Sequence, residues 1–338
     1  MLRHPPNAPG ATGAPRRDVR PASRARRKAI LTSDLLLLAA GLVLLFAGGE
    51  GLVRGAVSFA NRLGMPPLLV GMTVIGFGTS LPEFLVCLQA ALRGSPDIAV
   101  GNIVGSNIAN ILLVVGVAAV LSPIVARGTS LLRDTGVMVA ACVALLLLGW
   151  SGGIGRVAGL VLFVSLVVYL AAAMLIDRAK EVEPDEEAAT RLSGWVEGLL
   201  LLGGFAALFV GAELLVGSAV RLARDAGLSE ATIGLTVVAV GTSLPEIAAA
   251  ISAAMRRQGA VVLGNVIGSN LFNILATLGL TAAIHPVDVS ADIARFDVPV
   301  MTGLAVLLGL ALALGGRFGR VLGLVMLAGY AAYVAMLL

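Results

Sequence analysis

GTSLPE occupies residues 78–83 and recurs, letter for letter, at 241–246. Each copy sits inside a long apolar run, MPPLLVGMTVIGFGTSLPEFLVCLQAAL in the first case. An ionisable side chain at that depth costs from about 3 to well over 10 kcal/mol, and such a residue faces a partner or a wet cavity. Pro82 donates no amide hydrogen to the helix ladder and Gly78 weakens it. The carbonyls upstream, those of Gly76, Phe77 and Gly78, are therefore expected to be freed. Such backbone is tolerated at membrane depth only where it is buried in protein or lines a cavity. A lone Pro–Glu would read equally well as a kink with a snorkelling acid. A second copy in the same setting argues against that.

The rest of the chain fits this setting. Of 338 residues, 58% are hydrophobic and only 13% charged, and the mean hydropathy is +0.98. A membrane span needs about 20 apolar residues. Ten spans are expected, near 34–60, 65–92, 98–122, 134–151, 156–177, 196–222, 231–255, 260–284, 298–314 and 318–338. The chain thus reads as an all-α polytopic membrane protein. Residues 1–30, rich in Pro, Ala and Arg, are expected to be disordered. The one long polar connection, residues 178–195, separates five spans in 34–177 from five in 196–338. Its acids, Glu181, Glu183, Asp185, Glu186 and Glu187, lack EF-hand spacing and read as a solvated linker. The net charge of +4 sits mostly in the N-terminal tail and gives no reason to expect nucleic acid. Cys87 and Cys142, both in apolar runs, read as inert buried thiols. No obligate protein partner is evident.

The two halves are copies. A shift of 163 carries Gly78–Glu83 onto Gly241–Glu246, and Asn102, Gly105, Ser106, Asn107 and Asn110 onto Asn265, Gly268, Ser269, Asn270 and Asn273. Between Gly71–Gly116 and Gly234–Gly279, 21 of 46 positions are identical. An odd number of spans per copy forces the second copy to enter the membrane from the opposite side. Two inverted five-helix repeats with broken helices are therefore expected, with a site at the midplane where they meet. If the central connection is cytoplasmic, ten Lys and Arg lie in inner loops against five in outer ones. That balance follows the positive-inside rule, although it leaves the basic N-terminal tail outside.

The repeated segments supply hard oxygen donors and no nearby Cys or His. Glu83 and Glu246 bring carboxylates; Thr79, Ser80, Thr242 and Ser243 bring hydroxyls. The carbonyls of Gly76 and Ala239 add backbone oxygens. Ser106 and Asn110, four residues apart, share one helix face, as do Ser269 and Asn273. Calcium takes six to eight such oxygens, whereas zinc or copper would want thiolate or imidazole. Two glutamates balance one divalent cation, and the same oxygens suit sodium. Gly101, Gly105, Gly264 and Gly268 read as a stripe letting the third and eighth spans press against the broken helices. For Asn102, Asn107, Asn265 and Asn270, ligation and hydrogen-bonded scaffolding stay open. Glu50 and Glu213, also paired by the repeat, are expected to have a structural role with a polar partner or to line an ion path. A hydrolase using Ser80 or Ser243 would lack a base, since neither His4 nor His285 lies near the motifs. A cofactor is not expected.

GTSLPE followed by GN-x-x-GSN, twice and correctly spaced, resembles the α-repeats of the sodium/calcium exchangers in the calcium/cation antiporter superfamily. Prokaryotic calcium/sodium antiporters are the most similar branch, and the likeness covers residues 34–338. It implies ten spans in two inverted repeats and a central loop in the cytoplasm. The implied activity is not enzymatic: it is antiport of sodium against calcium by alternating access in the cell membrane. Calcium/proton antiport on the same scaffold is the alternative. The resemblance implies an ion site of Thr79, Ser80, Glu83, Ser106 and Asn110 with Thr242, Ser243, Glu246, Ser269 and Asn273, joined by the carbonyls of Gly76 and Ala239. Some members carry Asp where this chain has Asn273. Amides at both 110 and 273 argue against potassium co-transport.

Overall fold

A computed structural model of the chain describes residues 21–63, 69, 71–125, 128–178, 192–225 and 239–337. Helix α1 spans Pro21–Leu63. Helix α2 is broken into Gly71–Thr79 (α2a) and Leu81–Leu92 (α2b), bent by 46°. Then follow α3 (Pro96–Leu121), α4 (Thr129–Trp150), α5 (Arg156–Arg178) and α6 (Gly194–Asp225). Helix α7 is divided like α2, into Ala239–Thr242 (α7a) and Leu244–Met255 (α7b). Helices α8 (Gly259–Ile284), α9 (Ile293–Ala313) and α10 (Arg320–Leu337) complete the described chain.

Among the described residues, eight helices are long and apolar enough to cross a membrane, or nine if the bent α2 pair is one span. Of the expected span 231–255, residues 231–238 lie outside the described residues. The molecule is a multi-pass membrane protein. Leu175, Leu202, Val157 and Val321 are more than 70% exposed, which a bilayer accommodates and water would not.

One expectation needs correction. Helix α1 begins at Pro21, inside the stretch expected to be disordered. Proline is compatible with a first helical turn, and the Arg, Ala and Lys residues that follow are good helix formers. Residues 1–20 and the acidic stretch of the central connection lie outside the described residues.

Four two-residue strands fix the relation between the halves. They are β1 (Ile124–Val125), β2 (Gly153–Ile154), β3 (Val287–Asp288) and β4 (Arg317–Phe318). Strand β1 pairs antiparallel with β4, and β2 with β3. Helix α4 runs from β1 to β2, so these strands mark opposite ends of the bundle, about 33 Å apart by helix rise. Helix α9 runs from β3, at the β2 end, back to β4, at the β1 end. Helices α4 and α9, equivalent in the sequence repeat, therefore run in opposite directions.

Helices α1 and α6 form a second antiparallel pair. Glycines let their backbones meet: a Cβ on Gly41 would lie 2.8 Å from the Gly211 carbonyl, and one on Gly211 2.9 Å from the Gly41 carbonyl. The pair is clasped at both ends. Arg221, late in α6, holds Asp34, early in α1, at 2.7 Å. Arg62, late in α1, holds Glu197, early in α6, at 2.8 Å, and Ser58 adds a hydrogen bond to Glu197 at 2.8 Å. The most apolar stretch of α8 is wholly buried and that of α3 largely so, and both helices lie against the broken helices.

Candidate ion-binding site

The break in α2 is set by sequence. Ser80 adopts φ −84°, ψ 2°, and α2b starts at the next residue with Pro82 in its first turn. There a missing amide hydrogen costs nothing, because the first turn has no intrahelical acceptor for it. Glu83 falls in the same turn, where the helix dipole favours an anion. Ser243, at φ −88°, ψ 5°, repeats the turn, with Pro245 and Glu246 in the same places. Helices α3 and α8 widen into π turns that begin at Asn110 and Phe272, the latter one residue before Asn273. Such π bulges are frequent at functional sites.

These elements bring the expected side chains into the interior. Glu83, Glu246, Ser243, Ser269 and Asn273 have no exposed surface, and Thr79, Ser80, Ser106 and Asn110 have 4% or less. Ser106 lies beside Glu83, and Thr79 and Glu83 lie beside Glu246. Thr79 Oγ1 lies 3.3 Å from Ser269 Oγ, which joins the α2 break to α8. Thr242 is half-buried, and only the backbone of Ala239 is described, at the start of α7a.

Several of these groups have no hydrogen-bond partner among the described residues. They are both oxygens of Glu83 and of Glu246, the hydroxyls of Ser80 and Ser243, and Oδ1 of Asn110 and Asn273. Each group occurs once per repeat. Burying an ionised carboxylate with no compensating contact is prohibitive. A bound cation or a proton would relieve that cost, and the oxygens are of the type that hard cations take.

Two expectations need correction. The Gly76 carbonyl is not bare. It accepts the Ser80 amide at 3.2 Å and lies 3.4 Å from Thr79 Oγ1 and 3.5 Å from Ser269 Oγ. A short α-helical turn, Gly76–Thr79, survives upstream of the break and keeps this hydrogen bond. In the glycine stripe, a Cβ on Gly268 would collide with the Met72 backbone, so α8 and α2a touch there. For Gly105 the equivalent neighbour is position 235, outside the described residues. Second, Glu50 and Glu213 are not equivalent. Glu50 binds Arg54 at 2.7 Å, Ser252 at 2.7 Å and Arg256, while Glu213 is exposed.

Asn102 Nδ2 donates to the Glu83 carbonyl at 3.2 Å, and Asn265 Oδ1 lies 3.5 Å from Thr79 Oγ1. Sequence reasoning missed Asp34, Glu197, Asp134 and Asp297. Asp134, in α4, accepts Tyr169 Oη at 2.6 Å, and Asp297, in α9, accepts Tyr333 Oη at 2.8 Å. Asp34 and Glu197 are 163 apart, as are Asp134 and Asp297. Extending the comparison of the halves beyond residues 71–116 would have found both pairs.

A multi-pass helical membrane protein with a buried, duplicated set of oxygen donors belongs to the class of ion transporters. The sodium/calcium exchanger protein family model matches residues 33–175 and 197–338. This chain belongs to that family. Inner membrane protein YrbG of Escherichia coli is 34% identical over 310 residues, covering 89% of this chain and 95% of that protein. Sodium/calcium exchanger MaX1 of Methanosarcina acetivorans is 31% identical over 347 residues, covering 91% and 99%. The sodium-calcium exchanger NCX_Mj soaked with 10 mM Na+ and zero Ca2+ is similar with a TM-score of 0.80 at 32% identity, over 90% of this chain and 99% of that one.

Proposed function

We propose that this antiporter exchanges sodium for calcium across the cell membrane, by alternating access at an oxygen-lined site midway through the bilayer. The observation that carries the reading is the duplicated set of partnerless buried oxygens on Ser80, Glu83, Asn110, Ser243, Glu246 and Asn273. Two carboxylates neutralise one calcium, and the neutral oxygens replace part of its hydration shell. Thr79, Ser106, Thr242, Ser269 and the carbonyls of Gly76 and Ala239 complete the site. The names of MaX1 and NCX_Mj support sodium as the counter-ion.

Segments 34–177 and 196–338 are the two repeats, each of five spans. Their inverted relation is supported by the opposed directions of α4 and α9 and by the crossed strand pairs. The balance of basic residues places the 178–195 connection in the cytoplasm. Helices α1 and α6 are the moving element: two end clasps hold them as a pair, and they pack on α7b across a separate contact. One site used in turn by either ion enforces coupling, because each ligand shifts the conformational balance only through its different affinity for the two states.

A calcium/proton exchanger is the second reading, favoured by the two carboxylates that protons could neutralise in place of sodium. Reconstitution decides. Proteoliposomes are expected to take up calcium-45 when an outward sodium gradient is imposed and not when only a pH gradient is. Uptake driven by the pH gradient alone would establish the second reading instead.

A further inference from the structure

Two fully buried asparagines lie just outside the proposed ligand set. Asn107 and Asn270 lie three residues before Asn110 and Asn273, on α3 and α8. Asn110 Nδ2 donates to Asn270 Oδ1 at 3.1 Å, and Asn273 Nδ2 donates to Asn107 Oδ1 at 3.0 Å. The same bond is made twice, each time from one half to the other. Each bond consumes the amide nitrogen and leaves Oδ1 of Asn110 and Asn273 without a partner.

A side-chain amide has an oxygen end and an NH2 end of nearly equal size. Turned the wrong way, Asn110 or Asn273 would point donor hydrogens at a cation. Something must fix the choice, and an acceptor placed behind the nitrogen does so. The acceptors are themselves oriented. Asn107 Nδ2 is directed at the Asn270 carbonyl, 3.4 Å away, and at Met301 Sδ, 3.6 Å away. Asn270 Nδ2 is directed at Met138 Sδ, 3.5 Å away. Met138 and Met301 are again 163 apart. With their nitrogens so engaged, Asn107 and Asn270 present only Oδ1 to the neighbouring asparagine.

We propose that Asn107 and Asn270 are positioning residues that lock Asn273 and Asn110 with their oxygens toward the transported cation. This rests on the reading of Asn110 and Asn273 as ligands. A bland alternative is interhelical glue, since polar side chains often join membrane helices. The two differ in one respect. Orientation matters only while position 273 or 110 is an amide, because a carboxylate offers oxygen at both ends.

The experiment is a double-mutant cycle on the full-length protein in proteoliposomes. It reads the half-saturating calcium concentration for sodium-driven uptake in wild type, Asn107→Ala, Asn273→Asp and the double variant. Asn107→Ala is expected to raise half-saturation roughly 10–100-fold, the range for lost outer-shell partners. In the Asn273→Asp background the same change is expected to shift it less than about twofold, the limit of additivity between independent sites. An equal penalty in both backgrounds, or none in the native one, overturns the proposal. If Asn107→Ala does not fold, Asn270→Ala with Asn110→Asp is judged by the same criterion. Wild-type protein that moves no calcium under a sodium gradient defeats the exchange reading itself. Normal wild-type transport with an unaffected Asn107→Ala defeats only the positioning role.

Discussion

All four carboxylate oxygens of Glu83 and Glu246 are buried without a hydrogen-bond partner among the described residues. Glu83→Gln and Glu246→Gln each keep size and shape but remove a charge that the proposed function assigns to balancing calcium. Each variant is expected to lower sodium-driven calcium flux by more than the roughly 10–100-fold typical of losing an outer partner. Both are expected to remain monodisperse in detergent. Flux near the wild-type level in either would exclude that glutamate from the site. The burial of both glutamates was legible in sequence because acid beside proline in an apolar run is costly, and the feature occurs twice. Asp34 and Glu197 were not legible. An acid near the end of an apolar span reads as a solvated terminus, and only the fold brings Arg221 and Arg62 across to them. Glu50 and Glu213 show a different limit. The repeat makes them formally equal, yet Glu50 meets Arg256 and Glu213 is exposed. Identical letters in two halves do not compel identical surroundings.

At the level of elements, the α1–α6 pair is held at each end by a buried acid and a half-exposed arginine. Removing the arginine leaves a buried acceptor without its partner, which costs about 1–3 kcal/mol. Arg221→Ala and Arg62→Ala are each expected to lower the melting temperature in detergent. Adding Asp34→Asn to Arg221→Ala is expected to recover part of the loss, since no uncompensated charge then stays buried. No recovery would mean that Arg221 acts through packing of its stem. The breaks in α2 and α7 could be read from Pro82 and Pro245. The surviving turn at Gly76–Thr79 could not, because a proline removes one donor without dictating what the preceding carbonyls accept instead. The π turns at Asn110 and Phe272 left no mark in the apolar pattern either, for they change the hydrogen-bond ladder and not the composition.

For the whole molecule, the crossed strand pairs put the loops containing β1 and β4 at one end and those containing β2 and β3 at the other. Ser151, exposed beside β2, and Val125, 59% exposed in β1, mark these two ends. In intact cells a membrane-impermeant maleimide is expected to label Ser151→Cys from outside. Val125→Cys is expected to react only after permeabilisation. The native thiols, Cys87 and Cys142, are both buried and give little background. Labelling of both positions from outside would contradict opposed faces, and the reverse pattern would invert the orientation. Matching the halves and counting spans led to the expectation of opposed copies, and the opposite directions of α4 and α9 agree with it. Which loops join across the molecule was not readable, since two-residue strands carry almost no periodic signal.

The hydrogen bonds linking Asn107 with Asn273 and Asn110 with Asn270 are reciprocal. Each partner gives to the other what it takes, as at the isologous interface of a symmetric homodimer. Such reciprocity needs no concatenation to arise. A half-length chain meeting an upside-down sibling would make the same pair of bonds at the same centre. A single chain that carries both halves has what two identical subunits never have, the freedom to let its two faces diverge.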